Sequence, residues 1–149
     1  MPKFLNVTCP LVIVALCVSC GETQSVTYAT YAEAIAGDTG HWLPPYLPAT
    51  ATDIREVHYI DSNTQWLRFR VPVGDTSVGI GATRISIDEA ASRASKPPRA
   101  MGNWLPELRK PSIITRRSGI QAYRHLHLWH PTRCVAVAPA DGLVYAWTC

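Results

Sequence analysis

The sequence predicts an α+β fold: an antiparallel sheet of about five strands with one or two helices on one face. Three observations predict it. Runs of strand-forming residues bounded by turn clusters outnumber helical segments. The links between runs are too short for the crossovers of parallel strands. Helix signals occur at only two places, one before the strands and one among them. The chain has 149 residues, 47% apolar and 17% charged, with a formal charge of +3. This is one domain's length, and the apolar fraction excludes a disordered chain.

The elements follow in order. A first helix is read at 28–35, where Tyr31, Ala34 and Ile35 share a face and Gly37 stops it. Residues 40–54 come next, with Pro44, Pro45 and Pro48 forbidding regular helix, and read as an extended surface segment. A strand is expected near 53–60, then the turn cluster Asp61-Ser62-Asn63-Thr64, then a strand at 66–71. In that strand Leu67, Phe69 and Val71 take one face and Trp66, Arg68 and Arg70 the other. Residues 73–84 are glycine-rich and loop-like; Gly79-Ile80-Gly81 begins a nucleotide fingerprint, but no third glycine completes it. Ser86 and Glu89 fit a capping box opening a second helix, which Lys96-Pro97-Pro98 ends. A third strand is expected at 123–129, and two more, 135–138 and 143–147, around the turn Pro139-Ala140-Asp141-Gly142. Folding that hairpin brings Cys134 and Cys149 together, offset by about two positions, and predicts a disulfide.

The first twenty residues read as an address. Lys3 precedes a short apolar core at 11–18, too short to span a bilayer, and small residues follow. Cys17-Val18-Ser19-Cys20-Gly21 resembles a bacterial lipobox. The resemblance implies a signal peptide at 1–19 and acylation of Cys20, with 20–27 as a flexible tether and 28–149 as one globular domain. Gly21 after the acylated cysteine tilts the expectation toward the outer membrane.

A second likeness spans about half of the mature chain. Trp42-Leu43-Pro44, Leu47-Pro48, then Ala51, Asp53-Ile54, Glu56, His58 and Asp61 form a spaced block. With the closing strand VAVAPADGLVYAW, it resembles a group of small, uncharacterised bacterial lipoproteins. The resemblance implies an exported, lipid-anchored α+β domain. It brings no activity and no catalytic residue.

Candidate chemistry is sparse. His125 and His127 share a strand face, and His130 adds a third nitrogen after a bend, which is a metal-ligand pattern. The competing reading turns these histidines to water, with Leu126 and Leu128 inside. Asp53, Glu56, His58 and Asp61 form a second cluster suited to acid–base work or to turn-building. Segment 42–48 offers Trp42 and Tyr46 as a stacking surface for sugar or peptide, and Trp104 echoes Trp42 in a second G-x-W-L-P copy. Charge is polarised: 93–133 carries nine basic residues, Arg116 and Arg117 among them, against Glu107 alone. Such a patch suits anionic headgroups, an acidic envelope polymer or an envelope protein, and an exported chain is a poor partner for nucleic acid. The expectation is a membrane-anchored envelope binding or structural module facing the periplasm, with no cofactor and with the question of enzymatic activity left open. The alternatives are a small metal-dependent hydrolase using His125 and His127, and an immunity or inhibitor lipoprotein.

Overall fold

A computed structural model describes residues 23–38, 42–93, 119–126 and 132–149. Their fold is mainly β, which corrects the α+β expectation. Seven strands form one antiparallel sheet in the order β1-β2-β3-β7-β6-β5-β4. They are β1 (Thr23–Thr30), β2 (Thr52–Tyr59), β3 (Thr64–Arg70), β4 (Thr83–Ile85), β5 (Gln121–His125), β6 (Arg133–Ala138) and β7 (Leu143–Thr148). The helices are short: α1 (Tyr31–Gly37) and α2 (Ile87–Ser92). Two meanders, β1-β2-β3 and β4-β5-β6-β7, join where β3 pairs with β7.

The two additional strands are β1 and β4. β1 is an edge strand rich in threonine, and it takes up residues 23–27 of the segment that composition marked as tether. The helix expected from Tyr28 begins at Tyr31, because Tyr28 is held in β1 opposite Ile54. Thr30 caps that helix: its hydroxyl accepts from the Glu33 N–H at 3.3 Å, while Glu33 Oε2 accepts from the Ala29 N–H at 2.9 Å. Ser86 caps α2 as expected, accepting from the Glu89 N–H at 3.0 Å.

Both faces of the sheet are buried, so the helices do not share a face. On one face Trp66 and Trp147 stand directly opposed and pack with Val57, Tyr145 and Ala90 of α2. The other face carries Ile54, Leu67, Phe69, Val135 and Val144, covered by Ala34 of α1 and by Leu47 and Val78 from the connecting segments. The split of β3 into Leu67 and Phe69 against Trp66 and Arg68 is that of the sequence pattern.

The closing hairpin turns at Gly142 (φ 61°), where a Cβ would meet the Val71 carbonyl oxygen at 2.2 Å. Cys134 and Cys149 are bonded, with Cα atoms 5.7 Å apart. Cys134 opposes Trp147, so the bridge reaches two positions further, to the residue just after β7, as the hairpin geometry requires.

Candidate functional site

One row of residues crosses the second face. Register places Gln24 beside His58, His58 beside Gln65, Thr148 beside Arg133, and Arg133 beside His125. Gln65 reaches Thr148 one step on from the Trp66–Trp147 pair, its backbone N–H donating to Thr148 Oγ1 at 2.9 Å. Six adjacent strands therefore each place a polar residue on one line. Glu56, His58 and Gln65 are each only 2% exposed, and His125 and Arg133 are buried as well.

Burial at this depth demands partners, and most of them lie within the row. Arg133 Nε donates to Gln65 Oε1 at 3.0 Å, and its Nη1 donates to Thr148 Oγ1 at 2.8 Å. Gln65 Nε2 donates to Glu56 Oε1 at 2.6 Å and to the Trp42 carbonyl at 2.7 Å. His58 Nδ1 lies 3.1 Å from the same Glu56 oxygen. His125 Nε2–H donates to the Val78 carbonyl at 2.8 Å. Burial pushes the Glu56 carboxyl above its ordinary range, and the nearby Asp38 charge adds to this. Burial also pushes His125 down. The Tyr46 phenol is raised for the same reason.

The proline-rich segment lies over the row. Asp38 fixes its start by accepting the Trp42 and Leu43 N–H groups at 2.8 and 2.9 Å. Trp42 then lies flat on His58, ring centroids 4.1 Å apart, and Tyr46 lies flat on His125 at the same spacing. Two clefts open on either side of Trp42. One, about 270 Å³, is walled by Trp42, Pro45, Tyr46, His125 and Arg133. Ile80 and Leu126, 76% and 69% exposed, form its rim. The other, about 260 Å³, is lined by Gln24, Tyr28, Trp42, Glu56 and His58. Each cleft contains a residue with an unpartnered buried atom: the Tyr46 hydroxyl in the first and His58 Nε2 in the second.

The structure sorts the sequence candidates. Trp42 and Tyr46 come together as walls of one cleft. His125 joins them with its Nε2 committed to Val78, and the histidine turned inward while Leu126 turns out, opposite to the water-facing reading. His127, His130, Trp104, Arg116, Arg117 and the leader with Cys20 lie outside the described residues. Among the described residues, no group of three His, Cys, Asp or Glu side chains is placed to hold a metal ion. The cluster Asp53, Glu56, His58, Asp61 is divided: Glu56 and His58 face the clefts, Asp53 faces the opposite side, and Asp61 sits in the β2–β3 turn. Sequence reasoning missed Gln65 and Thr148, and it counted Arg133 only as part of the basic patch at 93–133. The readable signal is phase: each continues the inward-facing positions of its strand, Gln65 with Leu67 and Phe69, Arg133 with Val135, Thr148 with Ala146.

A model of the YbbD head domain family matches residues 22–70, about a third of the chain. The match supports a small bacterial family and covers β1, α1, the segment over the row, β2 and β3. No curated protein and no solved structure matches the chain.

Proposed function

We propose that the chain is an exported, lipid-anchored binding module of the bacterial envelope, whose ligand enters the clefts beside Trp42. One observation carries the binding reading: the Tyr46 hydroxyl and His58 Nε2 are buried without partners, one in each cleft. Buried polar atoms in folded proteins are almost always paired, so an unpaired one at a cleft points to a group that arrives from outside. The walls set the ligand's chemistry. Trp42, Pro44 and Pro45 take an apolar or stacking face, while Tyr46 and His58 take hydrogen-bonding atoms. A short peptide or a sugar from the envelope has both. The anchor rests on the lipobox-like Cys17-Val18-Ser19-Cys20 of the leader.

Two measurements test the two halves. Mass spectrometry of protein made in its native host is expected to find Cys20 as an acylated amino terminus. An intact initiator methionine without acyl chains rejects the anchor. Tryptophan fluorescence titration with soluble peptide and glycan fragments of the envelope is expected to saturate in the wild type and to be lost in Trp42→Ala. Titrations that are equal in both proteins reject the cleft as the binding site.

A further inference from the structure

The opposite face of β2 and β3 holds a cluster that the clefts do not use. The β2–β3 register shifts between Thr52 and Arg55, and the bulge sets Asp53 at φ 45°, a left-handed backbone that few non-glycine residues adopt. The carboxylate there faces three guanidinium groups. Asp53 Oδ1 accepts from Arg55 Nε at 3.0 Å, Oδ2 accepts from Arg68 Nη2, and Arg70 Nε lies 3.8 Å from Oδ2. Arg70 Nη1 also donates to the Asp141 carbonyl at 3.3 Å. Three positive charges against one negative charge leave a surplus that no other acid among the described residues pairs with. Glu89, on the helix over this face, is engaged by Arg93 and Arg124 instead.

Solvation does not account for the central member. The Arg68 side chain is only 14% exposed, set between Arg55 and Tyr145 in register, and its Nε is buried without a partner. Arg55 and Arg70, the more exposed members, flank it, and guanidiniums grouped in this way suit phosphate and carboxylate groups, which accept hydrogen bonds in pairs. We infer that Arg55, Arg68 and Arg70 form a binding site for an oxyanion, a phosphate or carboxylate group of a soluble ligand. Asp53 is the internal counter-ion that spaces the guanidiniums. The site is independent of the clefts: Asp53 lies five residues from His58, about 16 Å along β2, and faces the other way. β1 starts beside Tyr59 and ends beside Thr52, so the chain enters the sheet at the end away from the arginines. That placement favours a soluble anion over a lipid headgroup.

The test titrates the full-length protein, labelled at arginine Nε, with inorganic phosphate and with citrate, against sodium chloride at matched ionic strength. Saturable shifts of the Arg68 Nε–H resonance are expected for the oxyanions and not for chloride. The double variant Arg55→Gln/Arg70→Gln, altered at the two more exposed members, is expected to weaken binding about tenfold or more. Asp53→Asn is expected to tighten it, because asparagine tolerates the left-handed backbone and removes the competing charge. Chloride that reproduces the shifts overturns the site, as does an Asp53→Asn variant with unchanged oxyanion affinity. Binding to anionic vesicles without binding to phosphate or citrate overturns the soluble ligand.

Discussion

Arg133 and Thr148 are partners twice over: they oppose each other across β6 and β7, and Arg133 Nη1 donates to Thr148 Oγ1 at 2.8 Å. The same guanidinium holds Gln65 on the next strand. One buried cation thereby connects three strands. Replacing it with an apolar side chain of similar length leaves Gln65 Oε1 without its donor in a dry place. Arg133→Met is expected to lower unfolding free energy by about 3 kcal/mol, read from urea denaturation. Arg133→Lys keeps the charge and loses the fork, and is expected to fall between. Equal stability of Arg133→Met and wild type contradicts the row as a structural unit.

The disulfide flanks this pair, since Cys134 follows Arg133 and Cys149 follows Thr148. Closing a loop with a sequence separation of 15 constrains the unfolded chain. The double variant Cys134→Ala/Cys149→Ala is expected to lose about 3 kcal/mol. The same loss is expected when the wild type is measured under reductant. Hydrogen exchange gives the local readout: the Cys149 N–H, bonded to the Thr132 carbonyl at 3.0 Å, is expected to lose protection first. A reductant-insensitive unfolding curve argues against the bridge.

Tyr46→Phe separates binding from stability. The Tyr46 ring stacks on His125, while its hydroxyl is buried and unpaired. Phenylalanine keeps the stack and removes the unpaired group, so stability is expected to stay level or rise by up to about 1 kcal/mol. Fragment binding in the adjoining cleft is expected to weaken in the same protein. A clear loss of stability without a loss of binding assigns the hydroxyl to the fold instead.

Much of the sheet is written locally, and the row is not. The alternation at 66–71, the hairpin around Gly142 and the Ser86 cap are each decided by neighbouring residues, and each is found in place. β1 has few apolar residues because it is an edge strand, so its sequence resembles a linker. The row unites positions from 24 to 148 that meet only through register. In isolation each of them looks like the wet position of an alternating strand. His125 and Leu126 show the cost of that assumption, since the histidine points in and the leucine out. Helices on both faces were hidden for a related reason: Trp66 shares its face with Arg68 and Arg70, which makes a buried face look solvated.

Glu56 and His125 give the row a pH signature with two opposed parts. Burial holds the Glu56 carboxyl above its ordinary value of 4.5. The folded state therefore binds a proton more tightly than the unfolded chain there. That contribution is complete below pH 4.5 and is lost as pH rises through the folded value. Burial holds His125 below its ordinary value of 6.5, so its contribution is present above pH 6.5 and is lost as pH falls through the folded value. Single variants separate the two. In Glu56→Gln, which keeps an amide oxygen for Gln65, stability is expected to fall only on the acid side of pH 6.5. In His125→Gln, it is expected to fall as pH climbs from 4.5. Urea midpoints between about pH 4 and about pH 8 check both curves. Glu56→Gln and wild-type profiles that run parallel contradict a buried, proton-retaining Glu56.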